Sequence, residues 1–203
     1  MIQSSRRTFT LTATVAALAA LLPARPAAAV EPDAAHAFIS ELAERATAIL
    51  QSDTSRAHRR EELRQVLHEG FDIPFVARTV LGAPYRDLTD SQRQAYIEAF
   101  ERWVVASYAD RLDDYEGQAL EIVRADSRGE RDAVVVSRVV GQTPEVRIDW
   151  RVRELGGHLR IIDIEVEGVS MAVSQRSEFG SVVQRRGIEG LITLLEERAG
   201  PLT

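Results

Sequence analysis

The spacing of apolar residues changes its period twice along this chain. Over residues 34–51, Phe38, Leu42, Ala46 and Ile49 recur three or four positions apart, which predicts an amphipathic helix. Residues 56–69 repeat the pattern, with Leu63, Val66 and Leu67 inward and an Arg/Glu cluster outward. Residues 71–82 predict a short helix with Asp72 as N-cap, Pro74 in its first turn and Gly82 at its end. Thr89 opens a further helix, the longest expected, which runs to about residue 115. Tyr96, Ala99, Phe100, Trp103, Ser107, Tyr108, Leu112 and Tyr115 share one stripe on it.

From Ala119 the period becomes two. Residues 119–126 and 133–141 predict strands joined by a charged turn that contains Gly129. Val146, Ile148, Trp150 and Val152 then alternate with Arg147, Asp149, Arg151 and Arg153, giving a strand with one buried and one wet face. Gly156-Gly157 turns the chain into a strand over 159–167, where Ile162, Ile164 and Val166 share a face. After Gly168 the helical period returns over 171–183 and again over 188–198, with Leu191, Leu194 and Leu195 inward. Helices, an antiparallel meander of about four strands, then helices: the class is α+β, a twisted antiparallel sheet packed with N-terminal and C-terminal helices. The stripe from Tyr96 to Tyr115 is long and wide enough to cover the apolar strand positions Val134, Val136, Val146, Ile148, Trp150, Ile162 and Ile164. A curved sheet covered in this way is either a filled core or the wall of an apolar cavity, and periodicity does not separate the two.

The first 29 residues read as an export signal. A positive segment with Ser5-Arg6-Arg7-Thr8-Phe9 precedes an apolar run over 11–22, and Ala27 and Ala29 occupy the A-x-A positions of a cleavage site. The apolar run is shorter than the ~20 residues that span a bilayer. The paired arginines, the mild hydrophobicity and Arg25 near the cut fit a twin-arginine signal, with Sec export as the alternative. Residues 30–203 are then one exported, soluble domain. Three of the 25 basic residues lie in the leader, which leaves 22 against 31 acidic side chains and a net charge of −9. Such a balance argues against nucleic acid or an anionic membrane as a general electrostatic partner. The absence of cysteine excludes disulfides, thiolate nucleophiles and Cys-ligated metals. Lys and Asn are absent too, so every cationic side chain besides histidine is Arg, which reads as the mark of a GC-rich genome.

Catalytic patterns are missing. His36, His58, His68 and His158 stand among polar neighbours in no H-x-x-x-H or H-E-x-x-H arrangement, which favours surface positions over metal or base roles. There is no G-x-S-x-G, G-x-x-x-x-G-K or G-x-G-x-x-G sequence. Asp163 interrupts a strand but alternates away from its apolar face, which weakens a general-base role. The expectation is a protein that is not an enzyme and uses no metal.

Val80-Leu81-Gly82, Tyr85-Arg86, Thr89, Gln92, Phe100, Tyr108 and Leu112-x-x-Tyr115 resemble the helical half of the MlaC family, the toluene-tolerance or Mla-type phospholipid-binding proteins of the Gram-negative periplasm. The second half agrees through Trp150-Arg151-Val152-Arg153, Ile161-Ile162-Asp163, Glu167-Gly168-Val169-Ser170, Gln175-Arg176-Ser177-Glu178-Phe179, and Gly187 followed by Leu191 and Leu195. The resemblance covers residues 34–195. Tyr85 stands where Trp is expected in many relatives. It implies a periplasmic carrier that exchanges phospholipid with an outer-membrane lipoprotein complex and an inner-membrane ABC transporter, supporting outer-membrane lipid asymmetry, with bound phospholipid as ligand and no cofactor. A hopanoid-associated branch of the same family is the nearest alternative.

Physical chemistry favours a container for such a task. Each methylene shielded from water contributes about 0.8 kcal/mol, so two acyl chains represent on the order of 20 kcal/mol or more. Candidate lipid-binding residues are Phe75, Val76, Val80, Phe100, Trp103, Val104, Tyr108, Val146, Ile148, Trp150, Ile162, Ile164, Val169 and Met171, each weighed against plain core packing. Trp150 and Tyr108 suit a rim where a polar handle meets water. Arg176 pairs either with a lipid phosphate or, the favoured reading, with an acidic neighbour. Two further classes compete with a carrier. A small cone-shaped isomerase-like enzyme requires a carboxylate aimed into the cavity, and a ligand-free adaptor requires a solid core and an exposed apolar patch.

Overall fold

Polar side chains at the segment boundaries start most of the helices. The computed structural model describes residues 29–109 and 115–200. The proposed leader up to residue 28 and Leu112 lie outside them. Helix α1 spans Pro32–Gln51 and α2 spans Arg56–Gly70. Ser55 Oγ accepts from the His58 amide to cap α2. Asp72 caps α3 (Ile73–Leu81) by accepting from the Phe75 amide at 2.8 Å. A 3-10 turn over Ala83–Asp87 leads to α4 (Asp90–Ala109). There Thr89 and Gln92 form a reciprocal capping box, with bonds of 3.2 and 3.0 Å.

Five strands follow: β1 (Ala119–Arg128), β2 (Asp132–Val140), β3 (Val146–Leu155), β4 (His158–Val166) and the two-residue β5 (Val169–Ser170). They pair antiparallel in sequence order. Helix α5 (Met171–Ala199) closes the described chain. It is the longest helix, with two arms hinged at Gly187, where φ is 70° and ψ −177°. The two helical periods over 171–183 and 188–198 are these arms.

Two apolar cores form. Ile73, Ala77 and Val80 of α3, Tyr96 and Phe100 of α4, and Phe179, Leu191 and Leu195 of α5 make the first. Phe100 and Trp103 lie 6.2 and 5.5 Å from Phe179, ring centre to ring centre, and the Tyr96 hydroxyl donates to the Ala77 carbonyl at 3.0 Å. The α4 stripe is therefore spent on helix–helix packing, and it does not cover the sheet as its width predicted. Helix α1 takes that place: Ala35 and Ile39 pack on Ala133, Val135, Val152, Ile161 and Ile164 in the second core.

One register irregularity changes the face of β4. Arg151 pairs with Asp163 but Val152 pairs with Ile161, so Ile162 is the extra residue of a bulge. Ile161, not Ile162, joins Ile164 and Val166 on the face toward α1. The arginine-bearing positions of β3 belong to an ion-pair lattice. The Asp132 carboxylate, 3% exposed, accepts from Arg151 and from Arg153 at 2.6 Å, and Arg147 pairs with Asp149. Burial pushes the Asp132 carboxyl up, the two arginines push it down harder, and its net position is below the usual carboxylate range.

Candidate functional site

The second core is not filled to its end. Between α1, α2 and the sheet lies a cavity of about 680 Å³, inside the ~300–1,000 Å³ range of sites that enclose a ligand. Helix α1 contributes Ile39, Leu42, Ala43, Ala46, Thr47 and Leu50, and α2 contributes Arg60, Leu63, Val66 and Leu67. Phe71, Val105, Val139, Ile148, Trp150, Ile161 and Ile164 complete most of the apolar wall, and Tyr115, Gln118, Ala119, Leu120 and Gln142 gather at one end.

Local features hold this wall in place. The bulge at Ile162 turns Ile161 inward. The Asp72 amide donates to the Ile161 carbonyl, and Phe71 forms a bridge with Ile161, which closes the sheet edge that β5 leaves unpaired. A Cβ on Gly70 would stand 2.9 Å from Leu42 Cδ1, so glycine lets the end of α2 approach α1. The Trp150 indole N–H donates to Ser137 Oγ, so its polar handle is satisfied inside the sheet rather than at a wet rim.

Among the described lining residues there is no Asp or Glu. Asp163 is instead a structural joint: it accepts from Ser170 Oγ at 2.6 Å and from the amides of Ile164 and Ala172, tying β4 to the start of α5. Among the described residues, none supplies the inward carboxylate that an isomerase-like site requires. Burial raises the Tyr96 phenol above its ordinary range, but that group lies in the helical core. No group of three or more His, Cys, Asp or Glu among the described residues is arranged to hold a metal. His58 and His68 face Glu62 and Glu101 on the surface.

Of the sequence-predicted lipid-binding residues, Ile148, Trp150 and Ile164 line the cavity. Val80, Phe100, Val76, Trp103 and Val104 lie in or against the helical core instead. Phe75 sits between Arg78 and Arg153, whose guanidinium carbons are 5.3 and 5.4 Å from its ring centre. Ile162 is buried at the bulge, Val169 is 54% exposed, and Met171 packs beside the second core. Val146 is half-buried at the start of β3, outside the lining. The Tyr108 side chain lies outside the described residues. The Arg176 guanidinium donates to the Thr79 carbonyl at the end of α3 and lies over Gly82, so the contact it makes here is with backbone. The α1 and α2 walls were visible as amphipathic faces, but periodicity did not show that they look into open space.

The space opens partly to solvent, and with its mostly apolar wall it is large enough to take an apolar ligand.

The family described as MlaC protein matches residues 40–197. The chain belongs to the MlaC family. Two relatives are the intermembrane phospholipid transport system binding protein MlaC of Haemophilus influenzae and the toluene tolerance protein ttg2D of Pseudomonas putida. Each is 23% identical over 63% of this chain, and the matches span 62% and 60% of those relatives' own lengths. A phospholipid-binding protein from Ralstonia solanacearum, solved in complex with a phospholipid, shares the fold with a TM-score of 0.70 at 20% identity, over 80% of this chain and 95% of that one. For this MlaC-family chain the α+β fold and the cavity between α1, α2 and the sheet thus stand together.

Proposed function

We propose that the chain is a phospholipid carrier of the periplasm. It takes acyl chains into the cavity between α1, α2 and the sheet, and it needs no cofactor. The cavity carries this reading: its wall is apolar and offers no carboxylate among the described residues. The phospholipid bound by the Ralstonia solanacearum protein of the same fold and the transport-system name of the Haemophilus influenzae relative support it. A lipid leaves a bilayer slowly because each exposed methylene costs about 0.8 kcal/mol. A container that replaces water with Ile, Leu and Val side chains lowers that barrier without any chemistry.

In this role the chain exchanges lipid with an outer-membrane lipoprotein complex and an inner-membrane ABC transporter, and so supports outer-membrane lipid asymmetry. No helix among the described residues is long and apolar enough to cross a membrane. Native mass spectrometry with lipid extraction, on protein purified from a Gram-negative periplasm, tests the proposal. Co-purified phospholipid near one per chain is the expected result. Apo-protein that also refuses lipid from liposomes would overturn it.

A further inference from the structure

The two ends of the apolar cavity differ in chemistry, and the sheet register separates them. Ile161 pairs with Val152, Val152 with Ala133 and Ala133 with Ser127, at the turn end of the β1–β2 hairpin. Ile39, Leu42 and Phe71 join Ile161 in the lining there, and the Phe71 bridge and the approach of Gly70 to Leu42 close that end. Ala119 pairs with Val140 at the far end of the same hairpin. Tyr115, Gln118 and Gln142 line the cavity at this second end, and Gln51, the last residue of α1, donates to the Tyr115 hydroxyl at 3.1 Å.

Neutral donors gather at that second end. The described lining residues with polar side-chain atoms are Thr47, Arg60, Tyr115, Gln118, Gln142 and Trp150. The Trp150 N–H is held by Ser137, and Arg60 has an interaction of its own. Because the Tyr115 hydroxyl accepts from Gln51, its own proton is left to donate. Gln118 Oε1 accepts from the Glu116 amide at 2.9 Å, which orients the side chain and leaves its NH2 group as donor. A Cβ on Gly141, where φ is 88°, would stand 3.4 Å from Gln118 Cα, so the chain after β2 lies directly against Gln118. Gln142, exposed at the same rim, adds a further amide. An acyl chain is hydrocarbon along its length and carries one strong acceptor at its head, the ester carbonyl. Once the chain fills the closed end, that carbonyl rests where the apolar wall gives way to solvent and loses part of its water. Amide and phenol donors replace that water, whereas an unanswered acceptor would oppose entry.

We infer that Tyr115, Gln118 and Gln142 receive the ester carbonyls of the bound lipid, with its tails directed toward Phe71 and Ile161, and that the protein therefore selects ester-linked over ether-linked phospholipid. The inference rests on the carrier reading above and names the part of the lipid that this end of the cavity reads. A dialkyl ether lipid has a methylene in place of each carbonyl, so the donors lose their partner as the site fills. Tyr115 and Gln118 are half-buried, and water answers part of that loss, which keeps the discrimination to about the strength of one ordinary hydrogen bond.

Competition between dioleoyl-phosphatidylcholine and its dioleyl diether analogue, offered as mixed vesicles and read by native mass spectrometry, tests this. Headgroup and chain length are the same in both, so the carbonyls discriminate. The wild-type protein is expected to load the ester lipid about fivefold more. Three variants remove donors one residue at a time: Tyr115→Phe, Gln142→Met and Gln118→Glu. The last keeps the acceptor that the Glu116 amide uses. Melting curves confirm that each variant folds, and each ratio is compared with that of the wild type on the same vesicles, which removes any difference in how readily the two lipids leave the bilayer. A ratio that falls toward one in any of the three supports the site and assigns the carbonyl contact to that residue. A ratio unchanged in all three folded variants would overturn the carbonyl site and leave the carrier reading standing. Loading of neither lipid by the wild type would overturn both.

Discussion

The indole N–H of Trp150 donates to Ser137 Oγ at 2.9 Å, and that hydroxyl donates in turn to the Ile148 carbonyl at 2.9 Å. Ser137 is fully buried, so the pair fixes the ring against the cavity with no polar atom left over. Ser137→Ala strands the indole donor and is expected to cost about 1–3 kcal/mol of stability in urea unfolding. The chain has two tryptophans, and Trp103 lies against the helical core. In a Trp103→Phe variant, lipids with brominated acyl chains should quench the remaining Trp150 fluorescence. In a Trp150→Phe variant, Trp103 should be quenched far less. Equal quenching of both would place the tails elsewhere.

Ile148 and Val146 occupy the same face of β3, two residues apart, yet only Ile148 lines the cavity. Ile148→Arg places a charge in apolar space and should abolish lipid uptake. Val146→Arg should leave most uptake intact. Liposome-to-protein transfer of labelled phospholipid measures both, after melting curves confirm that each variant folds. Loss of uptake in Val146→Arg alone would move the site toward the start of β3.

That contrast marks how far the sequence was legible. Period and capping residues placed α1 to α5, the meander and the break in the last helix, because those features are local. Partner choice is not local. The amphipathic stripe of α4 showed that it has an inward face, but not that Phe179 of α5, rather than the sheet, would receive Phe100 and Trp103. The bulge at Ile162 shifted β4 by one residue, so alternation counted from Ile164 named Ile162 where Ile161 faces the cavity. The arginines of α2 read as an outward charged face, and nothing in their spacing shows that α4 stands opposite them.

Asp132, held between Arg151 and Arg153, supplies a pH dependence with a definite sign. Its carboxyl titrates below its unfolded value of ~3.9. The stability it contributes is therefore complete above that value and is lost as pH falls through the lower folded one. Asp132→Asn leaves two arginines without their counter-charge. The cost at pH 7 should approach the lower end of ~3–5 kcal/mol, since Arg151 is 34% exposed and partly screened. Urea unfolding of both proteins at pH 7 and near pH 2 checks this, and the two stabilities should converge in acid. A gap that persists unchanged in acid would assign the loss to packing instead of charge.

The hinge in α5 rests on a conformation that only glycine adopts easily. At φ 70° and ψ −177°, Gly187 lies in the extended positive-φ region, where a side chain costs of order 1–3 kcal/mol. The first arm carries Phe179 and Val182, the second carries Ile188, Leu191 and Leu195, and all five belong to the same core. A straight helix would turn one set away from α3 and α4, so the bend is needed for both arms to bury their apolar faces. Gly187→Ala should accordingly destabilise the protein by about 1–3 kcal/mol. Gly180 is the internal control: it lies within the first arm, and a Cβ there meets no neighbour within 4 Å. Gly180→Ala should stabilise by about 0.5–1 kcal/mol through helix propensity. Opposite signs in urea unfolding are the expected outcome. Gly187 lies away from the lining of the apolar cavity, so its alanine variant, under conditions where it is folded, should take up lipid as the wild type does. Stabilisation by both substitutions would mean that α5 runs straight in solution.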